Sequence, residues 1–297
     1  MKLLLIGKNG QLGFELQRSL QLLGEVVAVG RDECNLADAR AIRHVIRVHA
    51  PEVIVNAAAF TAVDKAESEP GLAHAVNAVA PGVIGEEARR LSSLVVHYST
   101  DYVFDGLSPE PYSESDVTAP QNTYGRSKLE GENRLQGATP RHLIFRTSWV
   151  FGAHGGNFVR TILRLAAERE SIKVVHDQVG APTSAAFLAD ATAFALRVLN
   201  GGGASDLLGL YHLSAAGKTT WNEYARIVVD EARKLGAKLK LAPESIVQIP
   251  SSEYPTPARR PANSLLDTGK FRNAFSMRVD DWKVALKPVV QKLVLSQ

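Results

Sequence analysis

Four apolar residues, Leu3-Leu4-Leu5-Ile6, run directly into Gly7-Lys8-Asn9-Gly10-Gln11-Leu12-Gly13, and a helix-length segment follows. A strand that ends in a glycine turn and restarts as a helix opens a βα unit, which needs parallel strands beside it and helices over both faces. The rest of the chain supplies them. Short apolar runs at 26–29, 53–55, 94–97 and 143–145 read as strands buried on both faces, with a further one at 172–175. Helical stretches such as 11–23 and 39–48 lie between them. Apolar runs without alternation, spaced by helices, predict an α/β fold with a doubly wound parallel sheet.

The same loop suggests a ligand. Glycines let the backbone turn tightly and approach a pyrophosphate, and the helix that follows presents free N–H groups to it. The spacing is Gly-x-x-Gly-x-x-Gly rather than Gly-x-Gly-x-x-Gly. After the second strand, Gly30-Arg31-Asp32 stands where a side chain would meet the adenosine ribose. A guanidinium there suits a 2′-phosphate, which favours NADPH, although a solvated loop arginine reads the same way and Asp32 keeps NADH open. Small residues in Asn56-Ala57-Ala58-Ala59, after the third strand, let a cofactor lie against the backbone or simply let strand and helix pack closely.

Beyond about residue 150 the rhythm breaks. Gly201-Gly202-Gly203 and the proline-rich 250–261 mark loops around helical segments at 220–235 and 281–293. The expected organisation is a dinucleotide-binding domain over 1–150 and a smaller C-terminal lobe over 151–297, with the chain free to cross back. Net charge is +3, and the densest basic pairs are Arg89-Arg90 and Arg259-Arg260. With no basic arm or stripe, nucleic acid is not an expected partner. Cys34 is the only cysteine, which rules out an intrachain disulfide and a cysteine metal site. No stretch has the length of a membrane span, so the expectation is a cytoplasmic protein with no membrane partner.

Tyr124 and Lys128 are four residues apart in a segment that reads as a helix, so they share a face. A cation beside a phenol would lower its pKa and fit it to trade protons with an alcohol or carbonyl oxygen. Alone, the pair is equally an aromatic packing residue and a solvated lysine.

Together with the glycine loop, Ser99-Thr100 and the Asn-Ala-Ala-Ala turn, the chain resembles the extended short-chain dehydrogenase/reductases, whose fold is Rossmann-type. The blocks His97–Phe104, 61–67, 145–150, 177–183 and 255–261 resemble, more narrowly, the dTDP-4-dehydrorhamnose reductases over essentially the whole chain. That resemblance implies reduction of the C4 keto group of dTDP-4-dehydro-L-rhamnose, with a dTDP-sugar bound in the C-terminal lobe. It implies that Thr100 polarises the carbonyl, Tyr124 protonates it, and Lys128 holds the nicotinamide ribose. Gly7, Gly10, Gln11, Leu12, Gly13, Arg31, Asn35, Leu36, Ala58, Ala59, Phe60 and Thr61 would frame the cofactor with Tyr124 and Lys128. Thr100, Asp101, Tyr102, Trp149, Asn157, Arg259 and Arg260 would meet the sugar nucleotide, although Trp149 could equally anchor the core.

Two departures matter. Asn35 stands where relatives often carry an acid near the adenine, which leaves cofactor preference open. Some relatives form dimers bridged by Mg²⁺ through glutamates. Glu15 is present, but Ala185-Ala186-Phe187 offers no second carboxylate, so no metal is expected and a homodimer stays open. An epimerase or dehydratase is the enzymatic alternative, although Asp101-Tyr102 lacks the Asp-Glu pair of a dehydratase. A regulatory subunit on the same fold is the non-catalytic one, although Thr100, Tyr124 and Lys128 are all retained.

Overall fold

In the computed structural model, which describes residues 1–201 and 205–295, the N-terminal apolar run lies inside a six-stranded sheet. Its strands are β1 (Lys2–Ile6), β2 (Glu25–Val29), β3 (Val53–Asn56), β4 (Leu94–Thr100), β5 (His142–Thr147) and β6 (Gly209–His212). Their order is β6-β5-β4-β3-β1-β2, and every pairing is parallel. The connections reverse direction between β1 and β3, where an open α/β sheet leaves a crevice at its strand ends. Register brings Ile6 beside Asn56 and Asn56 beside His97, so the strand ends meet at that crevice.

Eight longer helices accompany the sheet: α1 (Gln11–Leu20), α2 (Ala39–His49), α3 (Ala80–Leu91), α4 (Thr123–Ala138), α5 (Phe158–Glu168), α6 (Ala185–Asn200), α7 (Trp221–Lys234) and α8 (Trp282–Leu295). The two-residue period of a strand explains how they divide the core. Leu3 and Leu5 pack with Leu16 and Leu20 of α1 and Leu188 and Leu196 of α6. Leu4 and Ile6 point the other way, onto Ile42 and Ile46 of α2, Ile84 of α3 and Leu135 of α4. Both faces are covered, which is why these strands read as unbroken apolar runs.

A separate core lies in the C-terminal half, where Val159 and Ile162 of α5, Tyr224 and Val228 of α7 and Trp282 and Leu286 of α8 meet. Beside it Ile172–Val175 pairs in parallel with Ile246–Ile249. The halves are not cut at residue 150, because β6 extends the main sheet and α6 covers α1. β6 has no apolar run, since its sequence is Gly-Leu-Tyr-His, so hydrophobicity alone does not reveal it. The helix expected at 11–23 ends at Leu20 and tightens into a 3-10 turn at Gln21–Leu23. Of the expected triple-glycine loop, Gly202 and Gly203 lie outside the described residues, and Gly201 is a turn. Among the described residues no helix is long and apolar enough to cross a membrane.

Candidate active site

A cavity of about 710 Å³ opens at the crevice, walled by the glycine loop, the ends of β3 and β4, and α4. Of the residues expected around a cofactor, all but Gly13 line it. Gly13 stands behind, where a Cβ would lie 1.9 Å from the carbonyl oxygen of Gly7, so only glycine lets α1 start this close to the loop. Gly7 has φ +100° and sits against Ala58, again with no room for a side chain. α1 begins at Gly10 with no side-chain cap, so its first N–H groups are left for an anion. This cradle fits a dinucleotide pyrophosphate.

The loop after β2 carries two acids: Asp32 is exposed, and the Glu33 carboxylate already accepts from Gly30 N at 2.5 Å and Lys8 Nζ at 2.7 Å. Those bonds, Lys8 first, hold its pKa below the usual carboxylate value. Arg31 is exposed and lines the cavity, with Asn35 and Leu36 beside it.

α4 carries the two catalytic candidates. Asn122 caps it by accepting from Gly125 N at 2.7 Å, and Thr123 is tied through its amide and hydroxyl to Glu67. A Cβ on Gly125 would lie 2.2 Å from the Tyr102 carbonyl oxygen, so this glycine lets the helix press against the end of β4. Farther along, Glu132 and Arg146 form a buried ion pair, 2.7 Å at its shortest, that ties α4 to β5.

Tyr124 is 9% exposed, and the expected lowering of its pKa by Lys128 is not what the structure shows. Burial pushes the phenol well up, opposed by a hydrogen bond with Thr100, and no influence of Lys128 is resolved. Lys128, 1% exposed, instead donates to the Tyr98 carbonyl oxygen at 2.6 Å and lies 3.3 Å from His97 Nε2. Burial pulls its pKa down to about 8, so it is a weaker cation than a surface lysine. The shared helix face is there, but the amine turns towards β4.

Thr100 accepts from Tyr102 N at 3.2 Å and donates to Asp101 Oδ1 at 3.1 Å. Asp101 is buried with Oδ2 unpartnered, and burial raises its pKa to about 6 against the pull of Ser264 and Thr100. Tyr102 meets Tyr124 edge-on, with ring centroids 5.5 Å apart. Arg260 pairs with Asp64 at 2.6 Å and reaches the Tyr102 hydroxyl at 3.5 Å, while Arg259 is exposed and touches Gln121 at 3.4 Å. Thr100, Asp101, Tyr102 and Arg260 therefore lie around Tyr124, next to the cofactor cavity rather than on its wall.

Two of the residues expected at the substrate have partners within the protein. Asn157 caps α5 by accepting from Arg160 N, and its amide donates to Gln11 Oε1 at 3.0 Å and Gly152 O at 2.8 Å, so its side chain is fully engaged within the protein. Trp149, in the left-handed region at φ 49°, stacks on Trp221 with centroids 3.5 Å apart and packs, partly buried, against the C-terminal core. Ser99 and Thr147 lie in blocks that carry the resemblance but were given no role there, and their buried hydroxyls line the cavity without a partner.

On the outer face, Glu15 lies 3.8 Å from Arg18, and Arg18 pairs with Asp190 of α6 at 2.8 Å. The carboxylate absent from Ala185–Phe187 thus reappears one turn later, already bound by Arg18 and Ser19. Among the described residues no group of three or more His, Cys, Asp or Glu side chains could hold a metal.

The RmlD substrate binding domain family matches residues 1–295. A dTDP-4-dehydrorhamnose reductase of Escherichia coli K12 is 49% identical over 99% of this chain and 98% of its own. The crystal structure of a dTDP-4-dehydrorhamnose reductase from Clostridium acetobutylicum superposes with a TM-score of 0.89 at 34% identity, covering all of both chains. That of Bacillus anthracis, in complex with NADP, gives 0.87 at 31% identity, covering 97% of this chain and 98% of that one.

Proposed function

Since the chain belongs to the RmlD family of dTDP-4-dehydrorhamnose reductases, we infer that Thr100, Tyr124 and Lys128 are its catalytic residues and that NADPH is its preferred cofactor. It is an enzyme that reduces the C4 keto group of dTDP-4-dehydro-L-rhamnose to give dTDP-L-rhamnose, drawing on NAD(P)H. The observation that supports the residue assignment is the cluster at the end of β4, where Tyr124 meets Tyr102 edge-on beside Thr100 and lines the same cavity as Lys128. When bound, the nicotinamide supplies a hydride to C4. Tyr124, kept protonated by its burial, is the group able to give the carbonyl oxygen its proton. Thr100 fixes the direction of that phenol. Lys128 would hold the nicotinamide ribose, and the α1 N-terminus would hold the pyrophosphate.

Arg31 supports NADPH, because, of the charged side chains in the loop after β2, it lines the cavity, whereas Asp32 does not and Glu33 is bonded to Gly30 and Lys8. Arg260, beside Tyr102, and the exposed Arg259 next to it in the chain suit the diphosphate of the sugar nucleotide. The test is cofactor oxidation with dTDP-4-dehydrorhamnose made by the upstream dehydratase and epimerase. One equivalent of NADPH should be consumed per sugar, and labelled cofactor should leave deuterium at C4. Conversion without net oxidation would indicate an epimerase, and no conversion a regulatory role.

A further inference from the structure

Behind Lys128 lies a layer that the catalytic assignment does not use. Asn56 at the end of β3 and His97 on β4 are each 1% exposed, side by side in the register, and neither lines the cavity. Asn56 Oδ1 accepts from the Ala58 backbone N–H at 3.2 Å. A backbone amide only donates, so the oxygen of Asn56 must face Ala58 and its NH₂ must face His97. That NH₂ lies 3.2 Å from His97 Nδ1, which therefore accepts and carries no proton. A neutral imidazole then bears its hydrogen on Nε2, and Nε2 is 3.3 Å from Lys128 Nζ. His97 is neutral, because burial and the neighbouring Lys128 both hold its pKa well below the usual histidine value.

The chain of donors thus has one direction: Ala58 to Asn56, Asn56 to His97, His97 to Lys128. At its end Lys128 is offered a donor, which an amine with a lone pair can accept and an ammonium cannot. The remaining charge near Lys128 comes from Glu132, one turn along α4, and it is paired with Arg146 of β5. Tyr124, one turn back, is the other titratable group on that face.

We propose that His97, keyed by Asn56 to present Nε2–H, is a positioning residue for Lys128 that steadies its neutral amine and so lets the lysine give up and retake a proton in each turnover. This rests on the Tyr124–Lys128 assignment above. After Tyr124 gives its proton to the substrate oxygen, the Lys128 ammonium, which lines the same cavity, is the source of the proton that restores the phenol. The amine left behind accepts from His97 Nε2–H, and one solvent proton restores the ammonium. His97 itself gains and loses nothing.

The tautomer is read directly from protein labelled with ¹⁵N-histidine, by the nitrogen shifts of His97 between pH 5 and 9. We expect Nδ1 bare and Nε2 protonated throughout, and an Nδ1–H ring or an imidazolium at pH 7 would overturn the proposal. Two variants test the consequence. His97→Gln can turn an oxygen towards Lys128, and Asn56→Asp would demand a proton on Nδ1 and so reverse the ring. Each should move the alkaline limb of kcat/KM up by about one pH unit, the scale of one altered hydrogen bond to a titrating group. A folded variant with lower activity but an unmoved limb would show that His97 merely fills space. The shifts need no substrate, so a chain inactive on the keto sugar would still report on His97, and the wrong tautomer in an active chain would sink this proposal alone.

Discussion

At Tyr124 burial is the largest influence on the phenol and raises its pKa, outweighing the opposing effect of the neighbouring Thr100. Burial wins, which keeps the proton in place until a substrate oxygen needs it. Tyr124→Phe keeps the ring and its edge-on contact with Tyr102 but removes the acid. Turnover should fall at least about 10²-fold with cofactor binding retained, as checked by single-turnover NADPH oxidation and fluorescence titration. Near-normal turnover with chemistry rate-limiting would rule Tyr124 out as the donor. Arg31→Ala should weaken NADPH by about 10- to 150-fold and leave NADH nearly unchanged, the effect of one charge-assisted contact. Equal losses for both cofactors would mean that Arg31 reads no phosphate. Residue spacing made the Tyr–Lys pair legible, but the direction of the lysine was not, because Tyr98 O and His97 come from a strand distant in sequence.

Helix ends, more than helix interiors, hold the site together. Asn157 caps α5 and holds Gln11 at the start of α1, so one side chain links the C-terminal half to the cofactor cradle. Asn157→Ala should cost about 1–2 kcal/mol in denaturant unfolding, the usual value of a cap. It should also raise KM for NADPH while leaving kcat nearly constant. A variant that lost stability alone would reduce Asn157 to a cap. On the other side of the sheet, α2 is fastened to α3 by Glu87, which is buried and takes Arg43 at 2.8 Å and Arg47 at 2.8 Å. The helices that begin near a sequence signal, such as α1 after its glycines and α4 around its Tyr–Lys pair, were readable in advance. β6 was not, since its pairing with β5 rather than its own composition makes it a strand.

Over the whole molecule, buried carboxyls set how stability follows pH, and two of them act in opposite directions. Glu87, held at about 2 chiefly by Arg47, contributes stability that is complete above its unfolded value of 4.5 and is lost as pH falls through 2. Asp101, raised to about 6 by burial, contributes most below its unfolded value of 3.8, and that share is lost as pH rises through 6. The loss amounts to roughly 3 kcal/mol at neutral pH. Asp101→Asn should therefore flatten the fall in melting temperature between about pH 4 and 6, and an unchanged slope would mean that Asp101 ionises freely in the folded chain. The α/β architecture was legible because both faces of β1 are covered, and a return of the chain was allowed for, but the segment that returns to complete the sheet was not legible, since no local pattern encodes it. That return has a consequence for synthesis. The strand that closes the sheet at β5 and the helix that covers α1 are translated well after the cofactor cradle. A nascent chain should stay protease-sensitive until residue 212 has cleared the ribosome, and only then shut its nucleotide half.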